Sequence, residues 1–421
     1  MPMPHEPVPL SRAEPPEATR SRELAMEERH LAELLRTARQ GLGLSVAFLS
    51  RIDDTHQRIE FMDSELPMPV RDDVEGGGRI LPLEKTFCKA IMDGKLPAVI
   101  PDMRAYPEAM ELPPARVAHV RSYVSVPVVL SDGSLYGTFC AAGYAPNADL
   151  TERDLALMNV LARAASAIIE PWVRNKQRLG EVERRILPVI ERGGPTVLLQ
   201  PIVALRSRRR LGAEALSRFP QEWQRPPDVC FADAHAIGEG HRLEVLALQR
   251  AADQLGQISG YMAMNVSPAT LLTSPCIDFL DRLPLDRIVL ELSEHDPVED
   301  YDAVKAALAP LRARGMRLAI DDVGAGFSSL RHIVLTAPDV IKLDRSIVSG
   351  IAESSVLSVV TRALVELARA IGACVVAEGV ETEADAVVLE GLDVDLGQGW
   401  HFDRATTASR LRDHYRLRVA V

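Results

Sequence analysis

The sequence predicts an α/β protein in which an α+β region is followed by a (β/α)8 barrel with one antiparallel strand. The chain has 421 residues, more than a single ordinary hydrophobic core contains, and 47% of them are hydrophobic. From about residue 194 onward, short apolar segments alternate with helical segments, as they do in barrels built from successive strand–helix units. Two folded domains are therefore expected.

The first region is predicted to hold an antiparallel sheet flanked by helices. Residues 1–21 are rich in proline and glutamate and lack periodicity, which predicts a disordered tail. A helix from Glu23 to about Gly41 precedes two strand-like segments, and a short helix then ends near Gly94. The segments SYVSVPVVL and LYGTFCAAG flank an Asp-Gly turn, which predicts a hairpin.

A long amphipathic helix is predicted at the end of this region. Thr151 is a suitable N-cap, acidic residues follow it in the first turn, and apolar residues recur at helical spacing to about Leu179. Pro171 is expected to interrupt or kink this helix. The first domain is therefore placed at residues 22–172, and a helical linker at residues 173–193.

The second region, residues 194–421, contains eight candidate strands with helical segments between most of them. The first two candidates are separated only by RSRRR, which is too short for a crossover helix, so they are expected to form an antiparallel hairpin. This order predicts a TIM-like barrel in which one strand is reversed. The candidate strands are TVLLQPIVAL, LGAEALSRF, YMAMNVS, IVLELSE, RLAIDDV, VIKLDRS, CVVAEGV and DLGQGW.

Polar residues stand at the ends of almost all of these strands, which a purely structural core does not require. In a barrel of this kind the strand ends meet at one rim, and that rim carries the chemistry. Carboxylates that face each other there repel unless cations compensate them, and Lys342 alone is not enough. The polar residues are Glu214, Arg218, Asn265, Glu291, Glu294, Asp321, Asp322, Lys342, Asp344, Glu378, Glu381 and Gln398.

Oxygen ligands without histidine or cysteine suit hard divalent cations such as Mg2+ or Mn2+. The carboxylates are numerous enough for two ions that share a bridging ligand, an arrangement that favours in-line displacement at phosphorus. A set of accidental salt bridges is the alternative, but too few basic residues lie in the pattern to form them. The sequence therefore predicts a two-metal site at the barrel rim.

The second region resembles EAL domains, the phosphodiesterases that open cyclic di-GMP. The segment GAEALSRF carries the Glu-Ala-Leu signature, and the segments QPIV, MNVS, LELSE, AIDDVGAGFSSL, IKLDRS, VVAEGVET and GQGW occur in the family order across about residues 194–405. The resemblance implies a metal-dependent hydrolase that converts cyclic di-GMP to linear pGpG.

The resemblance also implies a role for individual residues. The ligands of one metal ion would be Glu214, Asn265, Glu291 and Asp321. The ligands of the second ion, with Asp321 as the bridge, would be Asp321, Asp322 and Glu378.

Five further residues would act on water, substrate or a loop. Lys342 would orient the attacking water, and Gln398 would lie beside the metals and the scissile phosphate. Gln200 and Arg218 would bind the substrate, the latter through its guanidinium on a phosphate oxygen. Glu294 would anchor the loop GAGFSSL, which resembles the family's dimer-linked regulatory loop.

The first region resembles a GAF domain, a small-molecule sensory module, over roughly residues 22–172. The resemblance rests on the order of the predicted elements and on the strand YGTFCAAG. It implies a regulatory ligand whose nature stays open: a cyclic nucleotide, another metabolite, a chromophore, a redox signal or none. Cys88 and Cys140 are expected to be small buried apolar groups rather than a redox or metal site.

The composition of the chain argues against several kinds of binding partner and indicates where the protein is expected to be located. The net charge of -11 argues against a general binder of nucleic acids or anionic membranes, and the apolar runs are too short to span a bilayer. Five scattered cysteines indicate neither a disulfide framework nor a zinc site, so a reducing cytoplasm is the expected location. A homodimer is expected.

The alternative function of the whole chain is a catalytically silent cyclic di-GMP receptor or scaffold that signals through the GAF-like domain.

Overall fold

The computed structural model describes residues 17–65, 80–293, 298, 300–324 and 329–412. The chain divides into two compact units, one up to Arg178 and one from Leu179, and each has its own hydrophobic core. The tail predicted over residues 1–21 lies mostly outside the described residues. Within the described ranges, no helix combines the length and the apolar character that a membrane crossing requires.

The first unit contains a six-stranded antiparallel sheet with strand order β3-β2-β1-β6-β5-β4, which confirms the predicted α+β architecture. Its elements are α1 (Glu17–Gly41), β1 (Val46–Ile52), β2 (His56–Ser64), β3 (Ile80–Pro82), α2 (Phe87–Met92), β4 (Val99–Ile100), α3 (Pro107–Glu111), α4 (Pro113–Arg116), β5 (Ser122–Val129), β6 (Leu135–Gly143) and the first part of α5 (Glu152–Glu191).

The predicted hairpin is confirmed, and its turn includes Gly133 at a φ of 84°, a backbone conformation that glycine adopts readily. The two long helices differ from the sequence expectation. Helix α1 spans Glu17–Gly41, so it includes residues before the expected start at Glu23.

Helix α5 runs to Glu191 and contains Pro171, so the expected interruption there is wrong. An internal proline costs about 3 kcal/mol because it removes an intrahelical hydrogen bond. Buried apolar contacts on both sides of the proline offset this cost. These contacts involve Met158, Ala165, Ile169, Val182 and Ile186.

The second unit is a closed barrel with strand order β10-β11-β12-β13-β14-β7-β8-β9. Strand β7 is antiparallel to both neighbours and the other pairs are parallel, which confirms the predicted reversed strand. The elements after α5 are β7 (Thr196–Ala204), β8 (Arg210–Arg218), α6 (Pro227–Ala236), α7 (Gly240–Ala252), β9 (Tyr261–Asn265), α8 (Pro268–Leu271), α9 (Ser274–Leu280), β10 (Ile288–Ser293), α10 (Tyr301–Ala313), β11 (Arg317–Val323), α11 (Ser329–Thr336), β12 (Val340–Leu343), α12 (Arg345–Val348), α13 (Ser355–Ile371), β13 (Cys374–Ala377), α14 (Glu383–Gly391) and β14 (Leu396–Gly397).

An apolar layer fills the inside of the barrel and sets the position of the polar residues above it. Seven strands contribute one residue each to this layer: Ile202, Ala263, Val289, Ala319, Val340, Val376 and Leu396. Because side chains alternate along a strand, the residue two positions further on lies on the same inner face. In β10, β11 and β12 that residue is Glu291, Asp321 and Lys342, respectively. In the reversed strand β7 it lies two positions earlier, at Gln200.

Candidate active site

Asp321 and Asp322 lie next to each other near the end of β11, although neighbouring residues of a regular strand point to opposite faces. The pairing register of β11 shifts between Ile320 and Val323, and Asp322 has a φ of 58°. Such a bulge re-aims side chains, and aspartate tolerates the left-handed region better than most residues. As a result, carboxylate oxygens of Asp321, Asp322 and Glu378 lie within 4.8 Å of one another.

A second group of carboxylates shares Asp321 with the first. Oxygens of Glu214, Glu291 and Asp321 also lie within 4.8 Å of one another. Asn265 Nδ2 donates a hydrogen bond of 3.1 Å to Glu214 Oε1. The structure therefore brings all the predicted metal ligands on β8, β9, β10 and β11, together with Glu378 after β13, to one rim of the barrel.

Lys342 lies between these groups and is only 1% exposed. Its Nζ is 2.7 Å from Glu378 Oε1, 3.0 Å from Glu291 Oε1 and 3.0 Å from Asp321 Oδ1. The distance to Glu214 Oε2 is 3.5 Å. One buried ammonium group thus contacts four carboxylates.

Two glutamines continue this polar layer on the side of the reversed strand. Gln398 Nε2 donates to Glu214 Oε2 at 2.5 Å and to Gln200 Oε1 at 3.2 Å. Gln200 Nε2 in turn donates to the carbonyl of Asp403 at 3.3 Å. The predicted substrate-binding amides therefore lie directly beside the second carboxylate group, which contains Glu214.

A cavity of about 900 Å3 opens at this rim, and its wall includes Asn265, Ser293 and Asp322. Arg218 also lines it and donates from Nη1 to the neighbouring carbonyl of Ser217 at 2.8 Å. A guanidinium on the wall of a cavity with an acidic rim is suited to an anionic ligand. Of the predicted site residues, Glu294 lies outside the described residues.

Burial raises the pKa values of the carboxyl groups in this site, and the charge of Lys342 lowers them. Burial raises the pKa of Glu291 well above its ordinary value, raises that of Asp321, and raises that of Glu378 to about 8. For Lys342, burial lowers the pKa, but the surrounding carboxylates outweigh it and the net shift is upward. For Glu214, burial raises the pKa, but the lysine charge and amide hydrogen bonds bring it below its ordinary value.

The donor set fits two divalent cations. If all ionise, the five carboxylates exceed the charge of Lys342 by four negative charges, which two divalent ions would balance. Glu291 Oε2 is buried and has no hydrogen-bond partner among the described residues, as expected of an oxygen reserved for a metal. All candidate ligands offer oxygen, which suits Mg2+ or Mn2+.

The sequence interpretation missed one charged group that lines the cavity. Glu244 is 7% exposed, accepts from the Ser267 backbone N–H at 2.8 Å and lies 2.6 Å from His235 Nε2. These contacts support the loop that follows Asn265. The sequence contained one indication of this buried group, because Glu244 stands between the apolar residues Leu243 and Val245 of α7.

Replacement of Lys342 tests the electrostatic description. We expect Lys342→Met to lower the free energy of unfolding of the metal-free chain by about 3 kcal/mol, because buried carboxylates lose their counter-charge. Lys305→Met is the matched control, since Lys305 is exposed and its pair with Asp302 contributes at most about 0.5 kcal/mol. Urea denaturation followed by circular dichroism measures both variants, and equally small effects would contradict the description.

Comparison with known proteins agrees with this geometry. Residues 183–405 match the sequence profile of the EAL domain, and residues 27–170 match that of a GAF domain. An uncharacterized protein of Azorhizobium caulinodans is 32% identical over 255 residues, which cover 55% of this chain and 34% of that protein. The cyclic di-GMP phosphodiesterase PdeL of Escherichia coli is 29% identical over 218 residues, which cover 48% of this chain and 59% of PdeL.

A solved phosphodiesterase structure also matches this chain. PaMucR phosphodiesterase, in complex with c-di-GMP, matches with a TM-score of 0.50 and 26% identity, over 55% of this chain and 99% of that chain. The matched region thus spans between 34% and 59% of the two curated relatives. Because the EAL profile covers more than half of the sequence, the chain belongs to the EAL domain family, and its N-terminal part is similar to GAF domains.

Proposed function

We propose that the barrel, assigned to residues 194–421, hydrolyses cyclic di-GMP to linear pGpG with two divalent cations, Mg2+ or Mn2+. The observation that carries this proposal is the pair of carboxylate groups that share Asp321 around Lys342. Membership of the EAL family supports the reaction, as do the matches to PdeL and PaMucR, which are named as phosphodiesterases.

The proposed metal ligands follow the two carboxylate groups. The first ion would be held by Glu214, Asn265, Glu291 and Asp321. The second would be held by Asp321, Asp322 and Glu378. When bound, such ions lower the pKa of a water ligand and stabilise negative charge on a transferring phosphoryl group.

The remaining site residues would bind the substrate and orient the attacking water. The Lys342 ammonium lies between the carboxylate groups, where it would hold the attacking water. Arg218 would bind a phosphate oxygen from the cavity wall, and Gln200 and Gln398 would bind the substrate beside Glu214. The cavity of about 900 Å3 is large enough for a dinucleotide.

The Asp321→Asn variant tests the hydrolysis. We expect pGpG formation from cyclic di-GMP and Mn2+ to fall by roughly 10³-fold or more, because both ions would lose a charged ligand. Asp344→Asn is the matched control, since Asp344 caps α12 through the Ser346 N–H at 2.8 Å and belongs to neither carboxylate group. Chromatography of the nucleotides measures both variants.

The same assay distinguishes an enzyme from a silent receptor. An enzyme releases pGpG with Mn2+ present and stops when the metal is chelated. Tight binding of cyclic di-GMP by the unaltered chain without any product, whatever metal is supplied, would contradict the proposed hydrolysis and support a receptor. Equal activity of Asp321→Asn and the unaltered chain would contradict the proposed metal ligands.

We further propose that the GAF-like domain, assigned to residues 22–172, regulates the barrel in a homodimer. The division between the two compact units falls within α5, so the same helix belongs to both.

Deletion of residues 1–175 tests this regulation. We expect the shortened chain to hydrolyse cyclic di-GMP at a different rate and to lose any response to small molecules, because the sensory domain is absent. Deletion of residues 1–16, which precede α1, is the control and should leave both properties unchanged. An unaltered rate and an unaltered response in the longer deletion would contradict the regulation.

A further inference from the structure

The first unit contains a cluster of polar side chains inside an otherwise apolar interior. At its centre, Cys88 of α2 and Cys140 of β6 place their Sγ atoms 3.5 Å apart, and both residues are at most 1% exposed. The buried polar residues around them are Ser50, Gln57, Tyr123, Ser125 and Thr138. The predicted burial of both cysteines is confirmed, but polar groups contact their sulfur atoms.

The pKa values of the two thiols in this cluster shift in opposite directions. Gln57 Nε2 donates to Cys88 Sγ at 3.2 Å, Thr138 Oγ1 donates at 3.1 Å, and the Tyr123 hydroxyl lies at 3.1 Å. Burial raises the pKa of the Cys88 thiol, but hydrogen bonds from Cys140 and these three residues outweigh it and bring the pKa to about 6. Burial and the adjacent Cys88 raise the pKa of Cys140 well above its ordinary value.

A small cavity lies beside this pair, although neither cysteine lines its wall. Its volume is about 240 Å3, and its wall is mainly apolar but includes Gln57 and Tyr123, both of which contact Cys88 Sγ. The Gln57 Oε1 atom is buried and has no hydrogen-bond partner among the residues that the structure describes. A small uncharged molecule with an O–H donor would satisfy this oxygen and lie next to the sulfur of Cys88.

We propose that Cys88 and Cys140 are a redox-active pair that a hydroperoxide, in the simplest case H2O2, oxidises to an intramolecular disulfide. The Cys88 thiolate attacks one peroxide oxygen, the O–O bond breaks, and the other oxygen takes up a proton and leaves as water. Cys140 Sγ then attacks the sulfenic sulfur, the S–S bond forms, and a second water carries away the hydroxyl group and the remaining proton. Two thiols and one H2O2 become one disulfide and two waters.

The pair needs only a small movement to react. A disulfide bond is about 2.05 Å long, so the sulfur atoms would approach each other by about 1.5 Å from their present separation. The bond would join α2 to β6 and consume the Cys88 thiolate. Of the inputs that the sequence leaves open for this domain, a redox signal is the one that these contacts favour, and this inference does not depend on the proposed hydrolysis.

Thiol counting on the full chain tests the proposal. The chain contains five cysteines, so after unfolding the reduced chain should bind five alkylating groups. After treatment with H2O2 and quenching, we expect three, together with a cross-linked peptide pair that contains Cys88 and Cys140. Cys276→Ala is the matched control, because Cys276 is also buried and burial raises the pKa of its thiol to about 12. This variant should still lose two thiols.

Two serine variants test which sulfur reacts first. In Cys140→Ser, peroxide should leave a sulfenic acid on Cys88 that a 1,3-diketone reagent labels, whereas in Cys88→Ser labelling of Cys140 should be at least about tenfold lower. Near-ultraviolet circular dichroism verifies that both variants are folded. Retention of five thiols in the unaltered folded chain, or cross-links that omit this pair, would overturn the proposal. Equal labelling of the two serine variants would overturn the assigned order of attack.

Discussion

Burial of several carboxylates at one rim of the barrel is the constraint on which the rest of the second unit depends. Charged groups removed from water require compensation by opposite charge and by hydrogen bonds. Lys342, in contact with four carboxylates, and the amides of Asn265 and Gln398 supply part of it. The remaining negative charge explains why a pair of divalent cations fits the site. The carboxylates lie in or directly after four strands, β8, β10, β11 and β13, and converge above one apolar layer.

Much of this arrangement could be predicted from the sequence, because polar residues at the ends of apolar runs stand out against the period of a strand. Glu214 and Glu291 interrupt such runs, and the short RSRRR connection specified the reversed strand. The left-handed conformation of Asp322 could not be predicted, since it depends on the pairing of β11 with β12. The continuation of α5 through Pro171 could not be predicted either, because it depends on contacts with residues distant in sequence.

The two units stabilise buried polar groups by different physical means. In the barrel, ionised oxygens surround one ammonium group and require further positive charge. In the first unit, neutral hydroxyl and amide groups surround two sulfur atoms and stabilise a thiolate by hydrogen bonds alone. Cys88 and Cys140 lie 52 positions apart, so their proximity follows from the packing of α2 on the sheet and has no counterpart in a local motif.

The central claim, that two divalent cations complete the acidic rim, is tested most directly by calorimetric titration of Mn2+ into the metal-free chain at pH 7. Two buffers with different ionisation enthalpies report the protons released. We expect two ions per chain and a release of protons, because burial raises the pKa of Glu378 to about 8 and that of Glu291 well above its ordinary value, whereas metal ions bind deprotonated carboxylates. One bound ion or none, or heats that do not depend on the buffer, would contradict the account.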